Sequence, residues 1–164
     1  MIFEYCSKCG EKLEKREIGD EGLVPFCMPC NKLFFNLSYP CVICLIIDEN
    51  NHVLLAKDAR TDRYGGIAGF INEDETAENA AVREVKEEIG LAVIDLRYFK
   101  SYCREKSDRL MLGFICKVKN ANLNISKELK SAEWFSLEEA KNNLRESSVI
   151  LEFLNDYTTV TNNH

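Results

Sequence analysis

Apolar and polar residues are arranged along this chain in two patterns, and each pattern predicts a different kind of element. Residues 41–48, CVICLIID, form an apolar run rich in β-branched side chains, and residues 52–57 follow an Asn-Asn turn, so each is predicted to be a strand. Residues 76–89 contain no proline or glycine and are dominated by helix formers, which predicts a helix. We expect further strands at 91–102, 110–118 and 133–135, and helices near 137–144 and 147–156.

The predicted helix has one apolar and one acidic stripe. At about 100° per residue, the apolar stripe consists of Val82, Val85 and Ile89. The acidic stripe, centred roughly 140° away, consists of Glu84, Glu87 and Glu88. Acids spaced three or four residues apart repel each other by about 0.2–0.5 kcal/mol per pair, so we expect a cation here unless the stripe is only a solvated face. Oxygen ligands favour a hard ion such as Mg²⁺ or Mn²⁺.

Residues around the helix support this interpretation. Thr76 or Asp74 can cap its start, and Gly90 suits the left-handed position after its end. Arg83 borders the acidic stripe, where its guanidinium can hold a carboxylate in position, and Glu75 is one candidate. The helix is therefore predicted to carry both the acids and the group that orients them.

The order of these residues is identified as the Nudix box, the signature of Nudix hydrolases. Gly69, five residues, Glu75, seven residues and then REVKEEIGL match its fixed positions. The resemblance implies an α+β fold, an α/β/α sandwich with a mixed sheet, and Mg²⁺- or Mn²⁺-dependent cleavage of the pyrophosphate bond in a nucleoside diphosphate linked to another moiety. It implies catalytic roles for Arg83, Glu75 and the metal ligands, which are the Gly69 carbonyl, Glu84, Glu87, Glu88 and Glu128. The general base stays open among Glu84, Glu87 and Glu128.

The chain has eight cysteines, and four of them form two Cys-x-x-Cys knuckles: Cys6, Cys9, Cys27 and Cys30. Two such knuckles can complete a closed tetrahedral Zn²⁺ site. We predict a small structural zinc ribbon over residues 1–36, with a polar hairpin between the knuckles, and a pair of redox dithiols is the alternative. A Nudix hydrolase domain is predicted over residues 37–164.

A linker is predicted at 31–40, where Phe34 and Phe35 are expected to pack one module on the other. Cys41 and Cys44 repeat the Cys-x-x-Cys spacing inside a predicted strand. Residues three apart on a strand face opposite sides, so we expect two core thiols and no third metal knuckle.

A zinc ribbon directly before a Nudix domain resembles the bacterial NADH pyrophosphatase family. Residues 64–70 end in Ala-Gly-Phe, residues 110–114 read LMLGF, and Lys-Glu-Leu at 127–129 precedes AEWF at 132–135, as in that family. The family's NAD(H) motif, SQPWPFPxS, corresponds here to SYCREKSDR at 101–109, which keeps only the first serine. The resemblance therefore leaves the substrate open among NADH or NAD, ADP-ribose-like compounds and nucleoside triphosphates.

Candidate substrate-binding residues lie in the loop before the box. Arg60 and Arg63 are placed to meet substrate phosphates, and solvated loop charges are the alternative. Tyr64, Phe34 or Phe35 can stack on a nucleobase, and packing in the core or linker is the competing interpretation.

Composition narrows the class of partners. A net charge of −6 over 164 residues argues against nucleic-acid binding through a basic surface. The opening residues show no secretory pattern, and the longest apolar run is far short of the roughly 20 residues that span a bilayer. We therefore expect a cytoplasmic protein that binds a small nucleotide and no membrane, and the resemblance implies a homodimer. A non-catalytic sensor of ADP-ribose or a related nucleotide is the alternative function, although no box acid is missing.

Overall fold

The structure is a computed structural model that describes residues 3–104 and 108–162. The chain divides into two compact units, Met1–Tyr39 and Pro40–His164. The loop predicted to set substrate specificity, 101–109, includes residues 105–107, which lie outside the described residues.

The N-terminal unit is a three-stranded antiparallel sheet. Its strands are β1 (Glu14–Glu17), β2 (Leu23–Cys27) and β3 (Lys32–Leu33), in the order β1-β2-β3. The predicted hairpin is confirmed, because β1 pairs with β2 across a short 3-10 helix at Gly19–Glu21. The linker prediction was wrong at its start, since β3 pairs with β2 and Phe34 is buried in this unit's own core. Phe35, in contrast, is exposed.

The second unit is a seven-stranded sheet with helices on both faces. Its strands are β4 (Tyr39–Ile47), β5 (Val53–Asp58), β6 (Tyr64–Gly65), β7 (Ile67–Phe70), β8 (Val93–Cys103), β9 (Arg109–Val118) and β10 (Leu129–Phe135). Its helices are α1 (Ala77–Ile89), α2 (Leu137–Asn143) and α3 (Val149–Asn162). The main strand order is β10-β5-β4-β9-β8, while β6 pairs with β5 and β7 pairs with β4.

Two apolar clusters cover opposite faces of this sheet, which confirms the predicted α/β/α sandwich. Helix α1 packs on one face, and α2 and α3 pack on the other. Strand β4 is buried on both sides, because alternate residues of a strand point to opposite faces. Its residues in the α1 cluster are Val42, Cys44 and Ile46, and those in the other cluster are Ile43, Leu45 and Ile47. Cys41 and Cys44 are buried thiols, as predicted.

Strands β6 and β7 were not predicted, because the segment before the box reads only as a glycine-rich loop. Strand β6 pairs with the preceding strand β5 across a short loop, and β7 pairs non-locally with β4, with Cys41 opposite Phe70 and Val42 opposite Gly69. This pairing fixes the first residues of the box against β4.

Helix α3 is longer than predicted, because residues 158–162 continue it and are not a polar tail. Threonine hydroxyls in this stretch donate to backbone carbonyls of the preceding turn, as from Thr159 to Asn155 at 2.9 Å and from Thr161 to Tyr157 at 3.1 Å. Each hydroxyl is thereby satisfied within the helix, so a polar sequence is compatible with helix.

Candidate active site

Helix α1 is held at both ends by its predicted caps. The Thr76 hydroxyl accepts a hydrogen bond from the Asn79 amide at 3.2 Å, and Gly90 adopts the left-handed conformation with φ of 77°. A β-carbon on Gly90 would also meet the side chain of Asn124 at 2.8 Å. Both conditions favour glycine there.

The buried face of α1 differs from the predicted stripe at one residue. Val85 and Ile89 are fully buried, but Val82 is 40% exposed. Ala80 and Ala81 are fully buried instead. Small residues let the helix approach the sheet closely, and this rotates the contact face away from Val82. The prediction was wrong there because a helical wheel ranks residues by hydrophobicity and contains no information about the opposing surface.

Arg83 joins the acids of the box into one network. Its guanidinium donates to both carboxylate oxygens of Glu75, at 2.8 and 2.9 Å, in the bidentate geometry that arginine favours. It also donates to Glu84 at 2.6 Å and to Glu87 at 3.1 Å, and to the backbone carbonyl of Phe70 at 3.0 Å. One side chain therefore connects the helix to the end of β7.

Glu75 is held in this network from two directions. Hydrogen bonds from Arg83, and then from the backbone amide of Asn72, lower the pKa of the Glu75 carboxyl to about 2. The Asn72 amide lies 3.0 Å from its Oε2 atom. Glu75 therefore stays ionised and ties the loop before α1 to the guanidinium.

Gly69 allows Glu84 to reach the end of β7. A β-carbon at position 69 would collide with the Glu84 carboxylate. The side chain of Glu84 is only 13% exposed, because it lies between this backbone and Arg83. The glycine of the box is thus required by a close approach between a carboxylate and the backbone.

Glu88 lies among other acids. Burial, followed by the negative charge of Glu84, raises the pKa of the Glu88 carboxyl to about 7. Further contributions come from Glu128, Asp58 and Glu87. Like charges this close are stable together only when protons or cations compensate them. Carboxylate oxygens are the ligands that suit a hard divalent ion.

The loop that carries Glu128 is attached to the end of α1. The amide of Asn124 donates to the carbonyl of Ile89 at 3.0 Å, and the amide of Ser126 donates to the carbonyl of Glu88 at 2.8 Å. These bonds satisfy carbonyls that the helix itself leaves without partners. They also place Glu128 close to Glu88.

These acids border a cavity of about 500 Å³. Its lining includes four acids of the predicted metal set together with Gly69: Glu84, Glu87, Glu88 and Glu128. A second cavity of about 230 Å³ shares Arg60, Ala68, Glu88 and Glu128 with the first, and Arg63 lines it as well. Arg60 is thus brought beside Glu88 and Glu128 at both cavities, whereas Arg63 lines only the smaller one.

Tyr64 is not in the lining of either cavity. Its hydroxyl donates to Glu133 at 2.7 Å, and its ring packs edge-on against Phe135 at 5.4 Å. Lys57 lies 5.2 Å from the same ring. Each of these contacts joins β6 to the β5–β10 part of the sheet.

Sequence reasoning missed two residues that line the larger cavity. Phe70 is half exposed, and the guanidinium of Arg109 lies 5.3 Å from the centre of its ring. Arg109 stands at the last position of the segment that corresponds to SQPWPFPxS, where the family has serine. Its charge is the signal that could have identified it.

Described residues in that segment and just before it are bonded to side chains of α3. Lys100 donates to Asp156 at 2.9 Å, and the Tyr102 hydroxyl lies 3.4 Å from the same carboxylate. Arg104 pairs with Glu152 at 3.0 Å. These contacts orient the end of β8.

In the N-terminal unit, the four predicted cysteines converge on one point. The sulfur atoms of Cys6, Cys9, Cys27 and Cys30 all lie within 4.8 Å of one another. Two of the distances are 3.5 Å, between Cys9 and Cys27, and 3.9 Å, between Cys6 and Cys30. A tetrahedral zinc with bonds of about 2.3 Å separates its sulfur ligands by about 3.8 Å, so the cluster fits that ion.

The electrostatics of the cluster agree with that fit. The side chain of Cys9, followed by burial, raises the pKa of the Cys30 thiol to about 12. Burial raises the pKa of the Cys6 thiol, but hydrogen bonds from the backbone of Cys9 and Lys8 outweigh it and lower that pKa to about 6. Sulfur atoms this close therefore share protons unless a cation takes their place.

The chain belongs to the NUDIX family, whose NUDIX domain model matches residues 38–156. The chain is 32% identical over 139 residues to the NAD-capped RNA hydrolase NudC of Vibrio vulnificus, covering 83% of this chain and 52% of that protein. It is 34% identical over 155 residues to Nudix hydrolase 19, chloroplastic, of Arabidopsis thaliana, covering 85% of this chain and 34% of that protein. The chain thus spans about half the length, or less, of these relatives.

Solved structures share this fold. A NUDIX hydrolase from Nitrosomonas europaea superposes with a TM-score of 0.72 at 24% identity, covering 87% of this chain and 83% of that one. This likeness establishes the fold. Among the described residues, no helix combines the length and apolar character needed to cross a membrane.

Proposed function

We propose that this protein is a metal-dependent pyrophosphohydrolase that cleaves the diphosphate bond of a nucleoside diphosphate linked to another moiety. The observation that carries the proposal is the convergence of Glu84, Glu87, Glu88 and Glu128 on one cavity beside Gly69, with Arg83 bonded to two of these acids. Membership of the NUDIX family and the similarity to named hydrolases support the same activity.

The catalytic ions in this proposal are Mg²⁺ or Mn²⁺. Their ligands are drawn from the Gly69 carbonyl and the carboxylates of Glu84, Glu87, Glu88 and Glu128. When bound, such ions neutralise diphosphate charge and lower the pKa of a bound water.

Side chains of the protein orient the metal ligands, accept a proton and bind phosphate. Arg83 and Glu75 hold the carboxylates in position, since cleavage of a diphosphate depends more on positioning and charge than on covalent catalysis. Glu84, Glu87 and Glu128 remain the candidates for the base that receives a proton from water. Arg60 and Arg63 border the smaller cavity, where they can bind phosphate oxygens.

For Tyr64 we propose an indirect role at the substrate side. Its hydroxyl is engaged by Glu133, so it acts on substrate through the position of β6.

The proposed substrate class rests on the named relatives and on the absence of the SQPWPFPxS motif from this chain. The Vibrio relative is named for hydrolysis of NAD-capped RNA, which favours a substrate with an NAD-like end. Because the SQPWPFPxS motif is absent, ADP-ribose-like compounds stand beside NADH and NAD in our proposal. A nucleoside triphosphate is the second candidate, favoured by the additional cation Arg109 at the cavity.

A hydrolysis panel tests this proposal. Purified protein would be assayed with Mg²⁺ and with Mn²⁺ on NADH, NAD, ADP-ribose, NAD-capped RNA, dinucleoside polyphosphates, nucleotide sugars and nucleoside triphosphates. We expect release of a mononucleotide from a diphosphate-linked compound. Binding without turnover of any compound would contradict the enzyme and favour a nucleotide-sensing regulator.

A matched pair of variants tests the role of Glu88 in the metal site. Glu88→Gln should lower kcat by on the order of 100-fold, because it removes a charge on which the metal site depends. Glu78→Gln removes an exposed acid from the first turn of the same helix and should have no effect. Full activity of Glu88→Gln would reject the assignment.

For the N-terminal unit we propose a structural zinc ribbon, within residues 1–36 and followed by the Nudix hydrolase domain at 37–164. About thirty residues cannot bury enough apolar surface to fold alone, so a metal supplies the stability. Four cysteines leave no open ligand position, which favours a structural over a catalytic ion. We also propose that the protein forms a homodimer and lies in the cytoplasm.

A further inference from the structure

The smaller cavity is lined by two loops and by the end of α1. Arg60 and Arg63 come from the loop between β5 and β6, and Glu128 comes from the loop before β10. Glu88 belongs to α1. Asp58, the last residue of β5, lines the same cavity and is an acid that the proposed metal set does not include. Arginines proposed to bind phosphate and acids proposed to bind metal therefore meet at one place.

The Asp58 side chain organises the loop between β5 and β6. Its Oδ1 atom accepts hydrogen bonds from two successive backbone amides, that of Arg60 at 2.9 Å and that of Thr61 at 2.8 Å. The Asp58 carbonyl accepts a bond from the Asp62 amide at 2.9 Å, and the Asp58 amide donates to the Arg63 carbonyl at 3.1 Å. Aspartate and asparagine stabilise tight turns in this way, because the side-chain oxygen binds amides two and three residues later. One residue thus fixes the course of this loop.

The same carboxylate orients the Arg60 side chain. Its Oδ2 atom lies 3.3 Å from the Arg60 guanidinium. The arginine side chain is 86% exposed, so the ion pair adds little to stability. A guanidinium has five N–H donors, and most of them stay available for a phosphate while one is held by Asp58. The pair therefore matters for the position of the guanidinium.

The loop that Asp58 organises is bonded to the backbone of Glu128. The Ala59 amide donates to the Glu128 carbonyl at 2.9 Å. On the other side, the Glu128 amide donates to the Ser126 hydroxyl at 3.2 Å, and the Ser126 amide donates to the Glu88 carbonyl at 2.8 Å. Glu128 is held between the Asp58 turn and the end of α1. A shift of the turn would therefore move a proposed metal ligand as well as Arg60.

We propose that Asp58 is a positioning residue that couples phosphate binding to the metal site, because its carboxylate fixes the turn that presents Arg60 and bonds to the backbone of Glu128. Asp58 acts through the turn and is not itself a metal ligand. This inference rests on the proposed function and adds a supporting residue to the same site. Loss of a supporting contact of this kind costs about 10- to 100-fold in metal affinity or activity.

Two substitutions of Asp58 separate the turn from the charge. Asp58→Ala removes the acceptor of both amides, so KM for the best substrate of the panel and the Kd for Mn²⁺ should each rise by about 10-fold. Asp58→Asn removes the same charge but keeps an oxygen that can hold the turn, so both rises should be smaller than in Asp58→Ala. Equal losses in the two variants would overturn the inference, because the charge and not the turn would then be responsible.

A double-variant cycle with Arg60 tests the route to the substrate. Arg60→Ala should raise KM without weakening Mn²⁺ binding, because it removes a positive charge. Adding Asp58→Ala to Arg60→Ala should raise KM by a smaller factor than in the unmodified protein, while Mn²⁺ binding still weakens. Partial unfolding alone would lower kcat with the folded fraction and leave KM unchanged, so strictly additive effects on KM would contradict the coupling.

Two further variants complete the comparison. Asp95→Ala is the matched control, because it removes a 64% exposed aspartate from β8, outside the described lining of the smaller cavity. It should change neither KM nor the Kd for Mn²⁺. Ala59→Pro keeps Asp58 but removes the amide hydrogen that Glu128 accepts, and it tests the link even where Asp58→Ala does not fold. It should weaken Mn²⁺ binding by about 10-fold, and unchanged binding would contradict the link.

Binding measurements separate this inference from the proposed hydrolysis. Calorimetric titrations with Mn²⁺, and with ADP in the presence of Mn²⁺, require no turnover. If both weaken more in Asp58→Ala than in Asp58→Asn and no compound is hydrolysed, the hydrolase is rejected and the coupling is supported. Hydrolysis together with unchanged binding of Mn²⁺ and ADP in Asp58→Ala would support the hydrolase and reject the coupling. Absence of both hydrolysis and any change in binding would reject both.

Discussion

The Glu84 carboxylate lies against the α-carbon of Gly69, in space that any other side chain at position 69 would occupy. This contact joins the first residue of the Nudix box to an acid fifteen residues later in the sequence. It explains why a loop glycine and a helical carboxylate occur at a set spacing in one signature.

Gly69→Ala should inactivate the enzyme without unfolding it. The new methyl group displaces the Glu84 carboxylate, and a misplacement of about 1 Å at a catalytic site costs on the order of 100-fold in rate. The measurement is kcat/KM for the best substrate of the panel, together with a thermal melt. Gly65→Ala is the control, because a β-carbon at Gly65 meets nothing within 4 Å. Equal activities of the two variants would contradict the close approach.

Arg83→Lys should lower activity although it keeps the positive charge. A lysine ammonium cannot reproduce the bidentate contact with Glu75 while it also contacts Glu84 and Glu87. Loss of such a supporting contact costs about 10- to 100-fold in metal affinity or activity. Titration of the activity with Mn²⁺ should show the weakened affinity. Arg97→Lys makes the same exchange on β8, and activity loss in that control would show that the effect is not specific to the network.

Cys27→Ser should release zinc and destabilise the N-terminal unit. Elemental analysis of the unmodified protein should find one zinc per chain, because the four cysteines make one closed site. The variant should lose that ion and become sensitive to proteolysis in residues 3–39, while metal binding at the box acids persists. Cys103→Ser changes an exposed cysteine outside the cluster and should retain zinc. A zinc-free unmodified protein would contradict the ribbon.

Asp48 should make stability depend on pH in the acidic range. Burial raises the pKa of its carboxyl, but hydrogen bonds from His52, Asn50 and Asn120 outweigh it, so the pKa lies below its usual range. A carboxyl whose pKa is lowered by folding stabilises the protein above its unfolded pKa of about 3.9, and this stabilisation is lost as the pH falls through the folded value.

Asp48→Asn tests this pH dependence by urea denaturation at pH 7 and at pH 3. At pH 7 the free energy of unfolding of the variant should be about 1–3 kcal/mol lower than that of the unmodified protein, because the amide group of the new asparagine faces donors that need an acceptor. At pH 3 the difference should shrink. Asp95→Asn, at a side chain that is 64% exposed, should change little at either pH. If the variant were destabilised by the same amount at pH 7 and at pH 3, the lowered pKa of Asp48 would be contradicted.

Much of the site could be predicted because its geometry is local. The caps of α1 at Thr76 and Gly90 involve residues within one or two turns of that helix. Short sequence separation lets residue type and spacing determine the contact. The four cysteines also follow from spacing, because each knuckle is a single turn.

The failures involve contacts between distant segments. Val82 was assigned to the buried face of α1, but only the opposing sheet decides which side of a helix is covered. Strand β7 pairs with β4, so that Phe70 lies opposite Cys41, and a glycine-rich loop does not encode this choice of partner locally.

The sequence by itself determined the family, the fold class and the acids expected to bind metal, because these depend on residue type and spacing along one helix. Only the tertiary structure decided that Gly69 touches Glu84 and that Arg83 connects α1 to the end of β7. It also decided that Arg109 lies over Phe70 at the same cavity. The physical reason is that sheet pairing and helix packing bring these groups together across long stretches of chain, and the resulting distances depend on all the packed surfaces at once.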